Sequence, residues 1–275
     1  MLFASDLDQT LIYSRRFIEE LEQERANKLR MIEIYDGKEI SWITENTIQK
    51  LKDVCQRALF VPITTRTIAQ FSRISLFHKE IRPKYVVTSN GGNILENGSI
   101  NKDWNTQVKK GIKHNCLPMP DILREFSKIK HDEWVNSQKI ADDLFVYCIV
   151  KNDKLPQKEI QAFAKWAEIK NWRVFLHGRK LYIIPNVVNK GDALKYIQGL
   201  ENKEIIIAAG DSLLDLDMLK CAHLPIIAGH GEVLQSKEVS TNPPANVYST
   251  KFCGILAAEE ILSKVVEVLD KMNKF

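Results

Sequence analysis

The chain has 275 residues, 44% of them apolar and 27% charged, with a formal net charge of +4. That length exceeds the usual single-domain size, which points to one large domain or a core with an inserted partner, and the apolar share is ordinary for a soluble globular protein. The apolar runs are far shorter than a bilayer span, the N-terminus lacks the pattern of a secretory leader, and the lysines are spread along the chain; a soluble, unexported protein is expected, without membrane or nucleic-acid partners.

The opening run "MLFASDLD" reads as a buried strand ending in two acids, and "FIEELEQERANKLRMI" as a charged helix. Asp36-Gly37 lies between two β-prone runs and signals a hairpin. Residues 46–58 predict a helix, "LFVPITT" a strand, "AQFSRISLF" another helix and "PKYVVTSNGG" a third strand. The alternation of strand and helix implies a parallel sheet with crossover helices.

The middle of the chain reads differently. Asn97-Gly98 marks a second hairpin, "DILREFSKIK" is helix-like, "DDLFVYCIV" is strand-like, residues 156–170 form a helix, and "RVFLHGRKLYIIP" is a pair of β runs about Gly178. After Pro185 the parallel rhythm returns through "NKGDALKYIQGL", "EIIIAAG", "SLLDLDMLKCA", "LPIIAG" and a C-terminal helix. The expected fold class is therefore α/β: a Rossmann-like core of residues 1–88 and 185–275, interrupted by an α+β domain at 89–184.

Five scattered cysteines, odd in number and never spaced as CxxC, argue for reduced thiols, a cytoplasmic setting and no zinc site. The histidines show none of the paired spacings that clasp a transition metal.

Four stretches of the core carry residues suited to a phosphate and a hard cation: Asp6-Leu7-Asp8-Gln9-Thr10, Thr64-Thr65-Arg66, Asn189-Lys190-Gly191, and Gly210-Asp211 with Asp215. In an open parallel sheet the carboxyl ends of the strands line one crevice, where these stretches can converge. A carboxylate held beside a cation can attack phosphorus, and a second can protonate the departing alcohol and later deprotonate water. On this reading Asp6 is the nucleophile and Asp8 the acid/base. Asp211 completes an oxygen-only site suited to Mg2+, and Asp215 falls one helical turn later to brace it. Thr64 and Lys190 hold the phosphoryl oxygens. Singly, a DxD after a strand is a turn or cap, and Asp-Ser before a helix an N-cap; their ordered occurrence favours chemistry.

Assembled, these residues resemble the haloacid dehalogenase superfamily, specifically phosphatases with a type IIB cap such as Cof-like sugar phosphatases and sucrose-phosphatase. "DLDQT", "VPITTRT", "VNKGDAL" and "AAGDSLLDLDML" are similar to the four motifs, and the insert stands where such families carry the cap. The resemblance implies Mg2+ dependence, an aspartyl-phosphate intermediate, a cap that closes over a small phosphorylated substrate, and a metal contact from the backbone carbonyl of Asp8. "VPITTRT", "TSNGG", "HGRKLYIIP" and "GHGEV" also resemble an uncharacterised branch found beside tellurite-resistance and phosphoribosyltransferase-type genes. Gln9, Thr65 and Leu214 depart from the common pattern, which has Gly, Gly and Asn there.

The substrate side is expected to include Thr10, Arg66, Asn90, Gly91, His177 and Arg179. Arg66 has a second reading, as a brace for a neighbouring acid; Asn90-Gly91 has one as a tight turn, and the Gly178 hairpin one as a solvated tip. The expected activity is a Mg2+-dependent phosphomonoester hydrolase acting on a sugar- or nucleoside-like phosphate, as a monomer or homodimer. The alternatives are a phosphotransferase of the phosphomannomutase type, or a ligand-binding protein that kept the fold. The segment 14–45 reads as a flap over the site, a partner surface, or a helix and hairpin on the rim.

Overall fold

The computed structural model describes residues 1–18, 28–236 and 246–272. They divide into two compact units, one of residues 1–100 and 190–275, the other of residues 101–189. The helix expected after the first strand falls largely at 19–27, outside the described residues.

In the first unit β1 (Leu2–Ser5) leads to a hairpin of β2 (Leu29–Tyr35) and β3 (Lys38–Thr44). Its turn uses Asp36 and Gly37, both at positive φ, as a two-residue turn matched to strand twist requires. Residues 29–32, read from sequence as the end of a helix, are strand, and Leu29, Arg30 and Met31 pair in register with β3. Thr44 caps α1 (Glu45–Arg57), accepting from the Thr47 N–H. β4 (Leu59–Pro62) follows, then α2 (Ile68–Phe71) and α3 (Leu76–Lys79). A single helix was expected over 69–77. Ser75 breaks it: its N–H and hydroxyl both donate to the Ile32 carbonyl, a tertiary contact that outweighs helical continuity. β5 (Tyr85–Thr88), β6 (Asn93–Glu96) and β7 (Ser99–Ile100) make an antiparallel meander that clusters with this unit.

The second unit has its own core of Phe126, Trp134, Cys148, Phe163, Trp172 and Ile183. It contains α4 (Lys102–Asn115), α5 (Met119–Phe126), β8 (Val135–Ala141), β9 (Phe145–Val150), α6 (Gln157–Ile169), β10 (Trp172–His177) and β11 (Lys180–Pro185). The strands form an antiparallel sheet in the order β10, β11, β9, β8. Neither α4 nor β8 was anticipated. Helix α4 buries little beyond Trp104 and Val108, and β8 alternates poorly, so each carries a weak periodic signal.

The chain returns to the first unit with α7 (Lys190–Glu201), β12 (Ile206–Gly210), α8 (Leu216–Lys220), β13 (Leu224–Ile227), β14 (Tyr248–Ser249) and α9 (Ile255–Met272). The central sheet runs β14, β13, β12, β1, β4, all parallel. Beyond β4, Ile63 bridges to Val87 of β5 in parallel. β1 and β12 are buried along their whole length, as expected of parallel strands covered on both faces. Phe3 stacks on Phe60 across neighbouring strands, and Ile48, Leu51, Ile261 and Val265 from α1 and α9 join that core. From β1 the chain reaches β4 on one side and β12 on the other, so the sheet reverses direction at β1, and the ends of these strands frame a crevice.

Two glycines of α7 differ in what they permit. A Cβ on Gly191 would lie 2.6 Å from the Asp217 carbonyl oxygen, whereas one on Gly199 meets nothing within 4 Å. Gly191→Ala is expected to destabilise by about 1–3 kcal/mol through overpacking, and Gly199→Ala to stabilise by about 0.5–1 kcal/mol through helix propensity. Urea denaturation of the two variants checks the opposite signs.

Candidate active site

Three strand ends converge. The Asp6 N–H donates to the Ala209 carbonyl at 2.9 Å and the Ile63 N–H to the Ser5 carbonyl at 2.8 Å, so Asp6 stands between the ends of β4 and β12. Thr64 follows Ile63, its N–H held by the Val87 carbonyl at 2.9 Å. Asp211 follows Gly210, the last residue of β12.

The first turn of α7 delivers Lys190 into this group. Its Nζ lies 2.5 Å from Asp6 Oδ1 and 2.5 Å from Asp215 Oδ1, and all three side chains are buried. Burial alone would lower the lysine's pKa, but the Asp215 and Asp6 charges outweigh it and hold the ammonium well above its ordinary value. Asp215 Oδ2 in turn accepts from the Asp211 and Ser212 N–H groups and the Ser212 hydroxyl, at 3.1, 2.9 and 2.9 Å. Ser212 and Asp215 thus form a capping box on the turn that opens α8. The N-cap reading of Asp-Ser holds at Ser212. Leu214, where Asn was expected, is buried, and Asp215 is oriented without it. The loop 229–231 approaches closely: a Cβ on Gly231 would sit 2.8 Å from the Asp211 carbonyl oxygen. Glu232 accepts from the Leu213 N–H at 3.2 Å.

Asp8 lies apart from this buried group, its carboxylate 46% exposed. Of the two roles open to Arg66, the structure shows the brace: Nε and Nη2 donate to the two Asp8 oxygens at 2.7 and 2.8 Å, and Nη1 to buried Glu33 at 2.7 Å. Burial opposes the guanidinium charge, but Asp8 and Glu33 more than offset it and raise the arginine's pKa.

The other residues expected on the substrate side fall in different places. Thr10 is fully buried and donates to Asp211 Oδ1 at 3.3 Å, so its hydroxyl braces a carboxylate. Ser89, Asn90 and Gly91 all have positive φ and form a tight turn; the Asn90 N–H donates to the Thr64 carbonyl and the Ser89 N–H to that of Arg66. His177 and Arg179 flank Gly178 on the β10–β11 hairpin of the second unit. His230, in "GHGEV", accepts from the Gly254 N–H at Nδ1, which leaves the proton on Nε2 to donate to the Gln9 carbonyl at 2.9 Å. Burial lowers its pKa, in keeping with a neutral ring.

Sequence reasoning missed Ser212, Glu33, Ser41 and Glu232. The S/T-x-x-D pattern at Ser212 was available as a capping signal. No local pattern marks the other three.

Asp6, Asp211 and Asp215 can each present an oxygen within 4.8 Å of the others. Burial pushes the Asp6 carboxyl up to about 7, with Lys190 opposing and the Asp215 and Asp8 charges adding. Burial, then Asp215 and Asp6, raises Asp211 well above the carboxylate range. A buried all-oxygen cluster whose members repel one another fits a hard divalent cation.

A family model described as Sucrose-6F-phosphate phosphohydrolase matches residues 1–258. A search of curated proteins gives no match. Among solved structures, the chain is similar to the sucrose-phosphatase of Synechocystis sp. PCC6803, solved with sucrose and phosphate, at TM-score 0.70 and 17% identity over 98% of both chains. A haloacid dehalogenase-like hydrolase protein from Bacillus subtilis aligns at TM-score 0.55 and 13% identity, over 96% of this chain and 91% of that one. BT1666 from Bacteroides thetaiotaomicron, a phosphatase of the haloalkanoate enzyme superfamily, aligns at TM-score 0.53 and 15% identity, over 98% and 94%. At these identities the likeness is one of fold. It does not bear on the narrower tellurite-linked branch.

Added Mg2+ at a hundredfold excess over its Kd is expected to stabilise the folded chain by about 2.7 kcal/mol, and Asp211→Asn to abolish the gain in thermal melts. The folded chain keeps the Asp6 proton up to about pH 7, against an ordinary value of 3.8. Metal-free stability from this group is therefore lost as pH rises through that window. A cation needs the ionised form, so the Mg2+ increment grows over the same window. Melts of the wild type and Asp6→Asn from pH 5 to 8 check the slope.

Proposed function

Because the chain belongs to the sucrose-6F-phosphate phosphohydrolase family, we propose that this phosphatase hydrolyses the phosphate monoester of a sugar, with Asp6 as nucleophile and Asp8 as acid/base. The observation that carries the reading is the buried grouping of Asp6, Lys190, Asp211 and Asp215 at the carboxyl ends of β1 and β12.

An Asp6 oxygen attacks phosphorus and the bond to the sugar oxygen breaks, while Asp8 gives that oxygen its proton. Asp8 then takes a proton from water, whose oxygen attacks the aspartyl-phosphate, releasing phosphate and restoring Asp6. Lys190, already against Asp6, places its charge beside the phosphoryl oxygens. The Thr64 oxygen accepts from the Arg66 N–H at 3.1 Å, which leaves its proton free to donate to the same group. The carboxylates of Asp6 and Asp211 and the backbone carbonyl of Asp8 would hold Mg2+, braced by Asp215, and the ion would supply positive charge against the transferring group. The half-exposed Asp8 can meet the leaving group while Asp6 stays shielded, which supports the division of roles.

Substrate choice is assigned to the unit of residues 101–189, with His177 and Arg179 as contacts to test. A sugar is favoured by the family and by the sucrose-phosphatase likeness. A cytoplasmic setting is supported by five unpaired thiols. Among the described residues no helix is long and apolar enough to cross a membrane.

Purified protein is expected to release inorganic phosphate from members of a panel of sugar phosphates, in a manner abolished by chelator. Asp6→Asn should lower the rate on the order of a thousandfold or more with the fold intact by circular dichroism. Undiminished turnover in that variant sinks the mechanism.

A further inference from the structure

We infer that Glu33, on the hairpin of β2 and β3, is a positioning residue for Asp8, acting through Arg66, and that Ser41 completes the arrangement. The inference rests on the assignment of Asp8 as the acid/base and deepens it.

The sequence "MIEIY" alternates so that a regular strand would bury Ile32 and Ile34 and expose Glu33. The structure does the reverse with Glu33: the pairing of β2 with β3 slips on both sides of it, Ile32 and Glu33 are both buried, and Ile34 is 55% exposed. Such bulges re-aim a side chain and occur next to active sites. Here the bulge turns a carboxylate into the protein at 1% exposure. An ionised carboxylate so buried demands partners, and each oxygen has one or more. Glu33 Oε2 accepts from Arg66 Nη1 at 2.7 Å and from the Ser41 hydroxyl at 2.7 Å; Oε1 accepts from Arg73 Nε at 3.0 Å. The Ser41 oxygen also accepts from Arg66 Nη2 at 3.0 Å. Arg73 is itself seated over the Tyr35 ring, 4.1 Å from its centroid.

The planar guanidinium of Arg66 is therefore fixed on one side by Glu33 and Ser41. Its opposite edge presents Nε and Nη2 to both oxygens of Asp8. Asp8 follows β1 by a short loop, and its carboxylate is half exposed. A bidentate pair sets that plane as a single hydrogen bond does not. Proton delivery to a leaving oxygen depends on this alignment. The hairpin thus reaches the reaction without touching substrate.

A residue that only stabilises the fold slows all substrates alike. A residue that aligns the acid matters in proportion to how much the leaving group needs its proton. Glu33→Gln should therefore lower kcat/KM, which ends at departure of the leaving group and so excludes Asp8's later step as base, by about tenfold to a hundredfold on a sugar phosphate, a poor leaving group. The kcat/KM for 4-nitrophenyl phosphate, whose phenolate departs unprotonated, should fall by less than about threefold. In an Asp8→Asn background the same change should add nothing on either substrate. Ser41→Ala keeps every charge and should show the same bias at a smaller size, so the test survives if Glu33→Gln does not fold. Equal losses on the two substrates, or no loss, in the folded variant overturn the inference. Absence of release from both by the unsubstituted protein overturns it together with the phosphatase reading, whereas intact turnover with an even loss sinks the positioning role alone.

Discussion

A single ammonium group, wholly inside the protein, governs the arrangement of the first unit. Lys190 bonds to Asp6 at the end of β1 and to Asp215 at the start of α8. An isolated charge so buried would be costly, and removing one partner of a buried pair is worth about 3–5 kcal/mol because the other is left uncompensated. The lysine therefore fixes where α7 begins relative to two strand ends. Gly191 allows it, since the helix passes so close to the Asp217 carbonyl that any side chain there would collide. The same contact holds Asp6, the proposed nucleophile, against the ammonium proposed to face the phosphoryl group.

Around this pair the backbone adopts conformations that a free chain avoids. Gln9, Ser89 and Asn90 all sit at positive φ, which costs of order 1–3 kcal/mol at a non-glycine residue and persists only when the surroundings impose it. Each is imposed by a hydrogen bond: His230 to the Gln9 carbonyl, Ser89 to the Arg66 carbonyl, Asn90 to that of Thr64. The departure of Gln9 from glycine is thus met by a histidine more than two hundred residues away in the chain.

The gathering of the acids was legible because parallel sheets bring their carboxyl ends together. Acids after "LFAS" and "IIIAAG" therefore had to meet, whatever lay between. Hairpins at Asp36-Gly37, Asn97-Gly98 and Gly178 were legible from turn chemistry, which is local. What escaped was set by partners far off in sequence. Regular alternation along β2 would turn Glu33 to solvent, and its slipped pairing with β3 buries it instead. Thr10 was read as a group for substrate, and Arg66 as one for substrate or as a brace for an acid; distant acids engage both. The two short helices at 68–79 are divided by a carbonyl from the hairpin, a contact no window of sequence contains.

The break in the first unit has a consequence for biosynthesis. Residue by residue, β1 pairs with β4 on one side and with β12 on the other: Leu2 meets Leu59 early but must wait for Ile206. In a chain made from its N-terminus, the second unit, with a core of its own, is complete before that second partner leaves the ribosome. Until then one edge of the most buried strand is open, and Asp6 has no lysine. The insertion thus postpones assembly of the buried acid and lysine cluster, and the interval in which β1 stands half-paired is the period when a nascent chain has most need of protection from aggregation.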